Sequence, residues 1–276
     1  MLTASIVVYK TAEMELKTIV DCALKSSIHM IYIVDNSPSN ESQTIINSYH
    51  SPKLIYIYGH GNIGYGAAHN IAIKKSIEQG AKYHVILNPD IIFQAGSIES
   101  LTQFMDIHSE VGAVMPNIVY PNGRSQRLCK LLPTPFDIFA RRFFPKSWMK
   151  KRNAKYEMHF MGYDKIWNCP NLSGCFMFLR IDILKQIGGF DDRFFMYFED
   201  TDLIRRIHTV SKTVFYPDVT IIHAHKAEHR TNKFLLKASI KSAIKYFNKY
   251  GWFFDRERKL FNSLAKRNIS LIRDSY

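Results

Sequence analysis

Short apolar runs rich in β-branched residues alternate with helix-length amphipathic segments over the first third of the chain. The apolar runs at 5–9, 30–34, 54–58 and 84–87 predict four strands, and the segments 13–24 and 67–79 predict helices between them. This β-α-β-α order predicts an α/β fold with a mainly parallel sheet covered by helices on both faces. Ligands of such folds bind at the carboxyl ends of the strands, so the candidate site residues are those that follow the strands.

Polar side chains follow the predicted strands directly. Tyr9 ends the first strand, Asp35 and Asn36 follow the second, and Asn88 and Asp90 follow the fourth. A carboxylate just beyond a strand end can hold a hard divalent cation against a diphosphate, which makes Asp90 a candidate metal ligand; a strand-ending turn is the alternative. Asp35 is a candidate for recognising a nucleobase or ribose, whereas an Asx turn would explain it without a ligand.

The third predicted strand leads into a glycine-rich stretch, residues 59–70, before a helix predicted to start near Ala67. Its glycines, among them Gly64 and Gly66, allow the backbone to approach an anion at a helix N-terminus. The stretch is not a dinucleotide fingerprint, because His69 stands where the third glycine belongs, and the chain contains no P-loop motif. These observations argue against a dehydrogenase and against a P-loop NTPase.

The densest cluster of acids lies in the second half of the chain. Glu199, Asp200 and Asp202 immediately precede the first apolar residues of a predicted helix and so occupy its first turn. The aromatic run 194–198 before them would desolvate a carboxylate and raise its basicity, which makes Asp200 a candidate general base. The alternative is plain helix capping, with Asp202 paired to Arg205 or Arg206.

A strand-like run at 214–225 ends in two histidines, His223 and His225. Either imidazole could be a second ligand for a metal or a phosphate, and a solvated loop histidine is the alternative for each.

Composition adds a charge asymmetry to this picture. The 276-residue chain has a formal net charge of +13, but residues 1–120 carry 7 Lys+Arg against 10 Asp+Glu, so the remainder carries 30 against 14. Nucleic acid, an anionic membrane surface and a polyanionic substrate are all partners that such a basic half can bind. The four cysteines form no CxxC pair, no signal-peptide n-region precedes the first strand, and no run of about 18 apolar residues occurs. We therefore expect a cytoplasmic protein that does not cross a membrane.

Much of the basic charge lies in one predicted amphipathic helix, residues 232–250. A lysine recurs every fourth residue, at positions 233, 237, 241, 245 and 249, beside apolar side chains. A second basic and aromatic stretch spans 141–152, and Trp252, Phe253 and Phe254 follow the helix. This pattern is typical of attachment to an anionic membrane surface, where a lipid-diphosphate-linked glycan acceptor would be presented. A solvated face over a packed helix, and a homodimer interface, are the alternatives.

Taken together, the motifs resemble those of the family 2 glycosyltransferases of the GT-A fold, and most of all the rhamnosyltransferases of bacterial surface-polysaccharide assembly. The similarity spans roughly residues 3–225, with the motifs in the family's order. It is carried by Val34-Asp-Asn-Ser37, Gly61-Asn-Ile-Gly-Tyr-Gly66 with Asn70, Leu87-Asn-Pro-Asp90, Ser173-Gly174, Gly188-Gly-Phe-Asp191, Phe195-Met-Tyr-Phe-Glu-Asp-Thr-Asp-Leu203 and His223.

The resemblance implies a role for each matched residue. It implies that Asp35 contacts the nucleobase, that Asp90 is the last acid of a DxD-like motif, that Asp200 is the base, and that His223 helps to hold metal or diphosphate. The remaining expected donor-site residues are Tyr9, Asn36, Gly64, Gly66, Asn70 and Asn88; those expected on the acceptor side or in support are Trp167, Gly174, Glu199 and Asp202. Residues 1–225 would form the GT-A catalytic domain, with the nucleotide-sugar half at 1–120 and the acceptor half at 121–225. Residues 226–276 would form a basic helical C-terminal region.

The implied reaction is a single displacement that inverts the anomeric carbon with the help of Mg²⁺ or Mn²⁺. The resemblance suggests dTDP-rhamnose as the donor and a polyprenyl-diphosphate-linked or surface-polysaccharide glycan as the acceptor, on the inner face of the cytoplasmic membrane, with UDP-sugars left open as donors. Two departures from the family pattern matter. Asn88-Pro-Asp90 offers one carboxylate where many members have two or three, and Pro170-Asn171 lengthens the segment before Gly174. Residues 121–166 match no motif.

Two other functions are compatible with parts of the sequence. A nucleic-acid-binding protein would explain the basic second half but not the acidic cluster at 199–202. A nucleotidyltransferase would also place a metal carboxylate beyond a parallel strand, but it would attack phosphorus and release pyrophosphate. We expect no nucleic-acid partner.

Overall fold

The computed structural model describes residues 1–224 and 233–267, apart from the side chains of 140–143 and 146. In this part of the chain a mixed sheet of nine strands has the order β3-β2-β1-β4-β8-β6-β9-β5, with β7 paired to β9. The strands are β1 Leu2–Val8, β2 Met30–Asp35, β3 Leu54–Ile57, β4 Tyr83–Leu87, β5 Ile91–Ile92, β6 Val111–Val119, β7 Trp167–Asn168, β8 Phe176–Arg180 and β9 Lys212–His223.

Strand direction decides which residues meet at one edge of the sheet. Strands β1 to β4 are mutually parallel, and β8 runs antiparallel to both of its neighbours, β4 and β6. Because the direction reverses twice at β8, β6 and β9 run the same way as β1 to β4. The carboxyl ends of β1 to β4 and of β9 therefore lie along the same edge, and the predicted α/β fold with a mainly parallel sheet is confirmed.

Helices connect and cover the strands. They are α1 Glu13–Leu24, α2 Glu41–Asn47, α3 Tyr65–Glu78, α4 Ser97–Ile107, α5 Pro135–Phe143, α6 Lys146–Tyr156, α7 Ile181–Ile187, α8 Glu199–Val210, α9 Lys233–Tyr250 and α10 Arg256–Lys266. The predicted bounds of α1 are correct, whereas α3 begins at Tyr65, two residues before the predicted start. None of the described helices is long and apolar enough to cross a bilayer.

The period-2 alternation of β1 separates two packing layers. Ala4, Ile6 and Val8 belong to the main core with Leu16 and Ile19 of α1. The intervening residues of β1 face α3, where Val7 packs with Tyr32, Val34, Ala68 and Ala72. Each face of the strand is thus covered by a helix, which is why β1 is buried along its whole length.

The α3 side of β1 contains a buried polar network. The Ser5 hydroxyl lies 2.7 Å from His69 Nδ1 and 2.8 Å from His84 Nε2, and the Thr3 and Ser76 hydroxyls lie 2.8 and 3.0 Å from His84 Nδ1. Burial lowers the pKa of His69 well below its ordinary value and lowers that of His84 to about 3. Both imidazoles are therefore neutral, and hydrogen bonds offset much of the cost of burying them.

The C-terminal helices pack tightly against α8. The Arg205 side chain is only 2% exposed and donates to both carboxylate oxygens of Asp255 at 2.7 Å and to Glu257 Oε2 at 2.9 Å. Its guanidinium also lies 3.8 Å from the ring centroid of Tyr250. The predicted C-terminal region is thus joined to the catalytic half by a buried ion pair between α8 and the start of α10.

The lysine stripe predicted on α9 does not form one uniform solvent face. Lys249 binds Asp191 Oδ2 at 2.8 Å and also contacts the Asp202 carboxylate, and Lys245 donates to the carbonyl oxygen of Arg193. These two lysines hold α9 against the segment that precedes α8, whereas the other three lie on exposed positions.

Candidate active site

The strand register brings the predicted site residues to one edge of the sheet. Val8 of β1 pairs with Asp35, the last residue of β2, and Ile91, directly after Asp90, pairs with His223, the last residue of β9. Asp35, Asp90 and His223 thus end up at the same edge although they lie far apart in the sequence, as the carboxyl-end rule for parallel sheets requires.

Asp90 and His223 form a close pair at this edge. His223 Nε2 lies 3.2 Å from Asp90 Oδ1, and both side chains are largely buried. On the other side of the ring, His223 Nδ1 lies 2.9 Å from Gln126 Oε1, while Gln126 Nε2 donates to the His223 carbonyl oxygen at 2.7 Å. Since that second bond fixes the amide orientation, Gln126 Oε1 must accept the Nδ1 proton.

A proton or a cation must therefore lie between the Nε2 lone pair of His223 and the Asp90 carboxylate. Burial alone lowers the pKa of His223, but hydrogen bonds with Asp90 and Cys175 raise it to about 10, so without a metal a proton occupies this position. Two neighbouring ligands of an octahedral Mg²⁺ ion are also about 3 Å apart. One carboxylate and one imidazole, with the other positions left to phosphate and water, suit Mg²⁺ or Mn²⁺. Within the described residues no group of three or more His, Cys, Asp or Glu side chains is arranged to hold a metal.

Asp200 is fixed in the first turn of α8. Its Oδ2 accepts the backbone N–H of Gly174 at 3.0 Å, and its Oδ1 accepts that of Thr201 at 2.7 Å. A Cβ added at Gly174 would lie 2.9 Å from the Asp200 Cβ, so only glycine allows this approach. The carboxylate is partly exposed and held in one orientation, as a general base requires.

The neighbouring acid Glu199 has a different environment. It is 5% exposed, and its Oε2 is buried without a hydrogen-bond partner. Burial, and next the negative charge of Asp200, raise the pKa of the Glu199 carboxyl well above its ordinary value. The buried Glu199 carboxyl therefore stays protonated and neutral.

Backbone contacts set the entry into α8. Tyr197 and Phe198 adopt positive φ angles of 67° and 68°, which bulky residues rarely do. The turn is held from both sides, because the Phe195 carbonyl accepts the N–H of Tyr65 at 2.9 Å and the Met196 carbonyl accepts the Ser242 hydroxyl at 2.9 Å. Tertiary contacts with α3 and α9 therefore impose the backbone that positions Asp200.

Tyr65 connects the end of β4 to the segment that holds Asp200. Its hydroxyl lies 2.8 Å from both Asn88 Oδ1 and the Gly174 carbonyl oxygen and can donate to either. Burial raises the pKa of Tyr65 well above its ordinary value, so the hydroxyl keeps its proton. One side chain thus fixes Asn88 and the glycine that holds Asp200.

The end of β2 contains an Asx turn at Asp35, which was the alternative to ligand recognition at this residue. Its Oδ1 accepts the N–H of Ser37 at 2.8 Å, which is an Asx turn, and its Oδ2 accepts the Tyr56 hydroxyl at 2.6 Å. Asn36 donates to the Gly64 carbonyl at 3.1 Å and so joins this turn to the glycine-rich stretch. Because Asp35 is fully buried, a nucleobase could contact its carboxylate only after neighbouring groups move. Tyr9 is 51% exposed beside them.

A comparison with known protein families identifies the family of this chain. The family model described as glycosyl transferase family 2 matches residues 4–188, which is more than half of the chain. The chain belongs to glycosyl transferase family 2.

Two relatives of this family 2 enzyme are rhamnosyltransferases. It is 27% identical over 219 residues to the N-acetylglucosaminyl-diphospho-decaprenol L-rhamnosyltransferase of Mycobacterium tuberculosis, covering 74% of this chain and 68% of the relative. It is 27% identical over 226 residues to the rhamnosyltransferase WbbL of Escherichia coli K12, covering 79% and 81%. The predicted resemblance to family 2 rhamnosyltransferases is confirmed.

Solved structures confirm the GT-A fold. The crystal structure of GalNAc-T7 with UDP, GalNAc and Mn²⁺ superimposes with a TM-score of 0.62 at 13% identity, over 91% of this chain and 50% of that one. At this identity the likeness concerns the fold alone.

Three of the predicted site residues make structural contacts. Trp167, predicted on the acceptor side or in support, pairs with Phe215, eight residues before His223 on β9. Asp202 is likewise predicted on the acceptor side or in support. Its carboxylate is fully buried and binds Arg206 at 2.8 Å and the Tyr250 hydroxyl at 2.7 Å, which is the pairing alternative that the sequence left open.

Asn70, predicted as a donor-site residue, holds a loop. Its amide donates to the Phe190 carbonyl at 2.8 Å and to Asp192 at 2.6 Å, and it accepts the Phe190 N–H at 2.8 Å. Gly66 lies against the same loop, since an added Cβ would come within 2.9 Å of the Phe190 Cβ. These two residues fix the Gly188–Asp191 motif against α3.

The sequence did not identify Tyr65, Gln126 or Cys175 as members of the site. Tyr65 stands inside the Gly-Tyr-Gly motif, which we interpreted only through its glycines, and Gln126 lies in the unmatched stretch 121–166. Cys175 follows the Ser-Gly motif directly and hydrogen-bonds His223. His225 lies outside the described residues.

Proposed function

We propose that this glycosyltransferase moves a sugar from a nucleotide-diphosphate donor to an acceptor hydroxyl with inversion at the anomeric carbon. The observation that carries the proposal is the juxtaposition at one sheet edge of an oriented carboxylate, Asp200, and a cation-compatible pair, Asp90 and His223. Tyr65 joins the two halves through Asn88 and Gly174. No nucleophilic side chain is needed, because a single displacement forms no covalent enzyme intermediate.

In the proposed step, Asp200 accepts the proton of the acceptor hydroxyl as the oxygen attacks the anomeric carbon. The bond from that carbon to the donor phosphate oxygen breaks on the opposite face, and the leaving nucleoside diphosphate takes the electron pair. The Gly174 N–H keeps the Asp200 carboxylate aimed throughout, which reduces the reorganisation that the step requires.

We propose Asp90 and His223 as the residues that hold a divalent cation. The support is their 3.2 Å separation and the tautomer imposed by Gln126, which directs the Nε2 lone pair towards Asp90. When bound, the cation would supply electrostatic stabilisation of the diphosphate's developing charge. The single carboxylate of Asn88-Pro-Asp90 then makes metal affinity depend strongly on the donor's own phosphate oxygens.

For the substrates we propose dTDP-L-rhamnose as the donor and a glycan linked through a diphosphate to a polyprenyl lipid as the acceptor. The support is that both relatives are rhamnosyltransferases, one of which acts on N-acetylglucosaminyl-diphospho-decaprenol. Such an acceptor implies that the enzyme works at the cytoplasmic face of a membrane. A UDP-sugar is the second donor candidate, because a structure of the same fold binds UDP with Mn²⁺.

The test is a calorimetric titration of the full-length protein with dTDP and with UDP, each with and without Mn²⁺ or Mg²⁺. We expect metal-dependent binding of dTDP that is lost in Asp90→Ala and kept in the matched control Asp182→Ala, whose side chain is 81% exposed away from the site. Preferential binding of UDP would change the donor and keep the enzyme class. If neither nucleotide binds under any condition, the proposed donor site is wrong.

The stereochemistry needs a separate measurement. Proton NMR of the disaccharide product made from dTDP-β-L-rhamnose should show an α-linkage. A β-linked product would contradict the single displacement and the role proposed for Asp200.

A further inference from the structure

Helix α9 exposes lysines and large apolar side chains side by side on one face. Residues spaced three, four and seven apart share a helix face. The α9 outer face consists of Lys233, Lys237 and Lys241, all exposed, together with Phe234 at 61%, Ile240 at 36% and Ile244 at 40% exposure.

Ile240 and Ile244 of the α9 outer face are not needed to hold the helix in place. Its opposite face already packs through Ser242, Ala243, Tyr246 and Phe247, all of which are buried. A helix whose only task was to cover the core would have polar residues at the exposed positions. The exposed phenylalanine and isoleucines therefore form surface that a partner could cover.

Charge complementarity indicates which partner suits this face. Helix α9 contains no acidic residue between Lys233 and Tyr250, so the exposed lysines have no negative neighbour on their own helix. Lys245 and Lys249 serve the packing against the segment before α8, which leaves three lysines for an external anion. Lysines alternating with exposed Phe and Ile on one helix are typical of helices that lie in the interface of an anionic bilayer.

The location of the face fits a substrate anchored in lipid. The ring of Phe234 packs edge-on against Phe195 at 5.9 Å, and the Phe195 carbonyl binds the first residue of α3 beside Gly64. The α9 outer face thus begins one side chain away from the segment that leads to Asp200. A diphosphate-linked sugar extends only a short way from the lipid surface, so an enzyme that modifies it must bring its base close to that surface.

We propose that the α9 outer face docks the enzyme on an anionic lipid bilayer. The purpose of the docking rests on the proposed lipid-linked acceptor, but the docking itself is tested without donor or acceptor. The helix would lie in the plane of the membrane with the phenylalanine and isoleucines among the headgroups and the lysines beside the lipid phosphates.

The test is co-sedimentation of the full-length protein with vesicles of phosphatidylglycerol mixed with phosphatidylcholine, and with vesicles of phosphatidylcholine alone. We expect binding only to the anionic vesicles, weakened by salt, and a loss of roughly 100-fold in the partition coefficient when Lys233, Lys237 and Lys241 are all changed to Gln. The matched control changes the exposed Lys25, Lys74 and Lys75 to Gln and removes the same charge elsewhere. The control should bind within about two-fold of the unaltered protein, and thermal melts should show that all variants fold.

Four outcomes would overturn the proposal. One is no binding to anionic vesicles, and another is an equal loss in both triple variants. The third is a loss confined to Phe253→Ser and Phe254→Ser, whose side chains are 81% and 96% exposed beyond the end of α9. Binding of a single-stranded oligonucleotide through the same lysines, without binding of vesicles, would likewise reject the membrane as the partner. Sugar transfer to a soluble acceptor, measured separately, shows whether a failure concerns this surface or the proposed function.

Discussion

The adjacent acids Glu199 and Asp200 allow the proposed chemistry to be tested with two isosteric substitutions. Asp200→Asn removes a carboxylate that accepts backbone N–H groups from Gly174 and Thr201, and Glu199→Gln replaces a carboxyl group that burial keeps neutral. Both variants change one oxygen to an NH₂ group and leave the side-chain volume almost unchanged. Their effects should nevertheless differ by orders of magnitude.

The magnitude for Asp200 follows from the loss of a general base. Removing such a group lowers kcat by about 100- to 10,000-fold, which corresponds to about 3–5 kcal/mol in the activation free energy. The asparagine can still accept one of the two backbone hydrogen bonds through its remaining oxygen, so α8 should stay in place. Glu199→Gln exchanges one neutral group for another at a position where Oε2 has no hydrogen-bond partner. We therefore expect its kcat to fall by no more than about five-fold.

The assay is release of nucleoside diphosphate and formation of glycosylated product under saturating donor and acceptor. Nucleotide titration and thermal melting of both variants serve as controls, because the proposed role predicts that Asp200→Asn lowers kcat without changing the affinity for dTDP. If Glu199→Gln loses as much activity as Asp200→Asn, Glu199 is the ionised acid and the assignment of the base is wrong. If both variants remain active, neither acid is the base.

Three further predictions concern the scaffold of the site. Gly64 has a φ of 95°, and an added Cβ would lie 2.3 Å from a carbonyl oxygen, so Gly64→Ala should lower the free energy of unfolding by about 2–4 kcal/mol in urea denaturation. Gly80→Ala, with a φ of 68° and open space, should cost only about 1 kcal/mol, and equal losses would exclude the steric explanation. Arg205→Met leaves the buried carboxylate of Asp255 without its main cation and should lower the free energy of unfolding by about 3–5 kcal/mol. The double variant with Asp255→Asn should lose less. If the losses of the two single variants simply add in the double variant, the two residues are not coupled. Folding lowers the pKa of His84 from 6.5 to about 3. As the pH falls, the unfolded chain therefore takes up this proton before the folded chain does, and the free energy of unfolding decreases from about pH 6.5 towards pH 3. This amounts to about 2 kcal/mol at pH 5, and a free energy of unfolding that does not change between pH 7 and pH 5 would contradict it.

Local patterns in the sequence were sufficient for the fold class and for part of the chemical inventory of the site. Apolar runs rich in β-branched residues, with helix-length segments between them, predicted the parallel strands, and parallel strands share an edge whatever their order. Asp35, Asp90 and His223 could therefore be assigned to one edge from their positions after the strands. The acids at the start of α8 were equally predictable, because the first turn of a helix is recognised from neighbouring residues alone.

The strands that the pattern missed show where local reasoning fails. β8 is antiparallel within the sheet, and its sequence at 176–180 gives no indication of its direction or of its place between β4 and β6. Strand order depends on which elements pack together after collapse, and that is a property of the whole chain.

Tertiary contacts alone decided what each candidate residue does. Asn70 holds a loop 120 residues away, Gln126 sets the tautomer of a histidine 97 residues away, and Lys249 binds an acid 47 residues before it. Glu199 and Asp200 are neighbours in the sequence, yet one is buried without a partner and the other is held by a backbone amide. The sequence by itself determined which chemical groups this glycosyltransferase has and which edge of the sheet they follow. Only the tertiary structure decided which of them face the site and in which protonation state, because desolvation and hydrogen-bond partners come from residues that are distant along the chain.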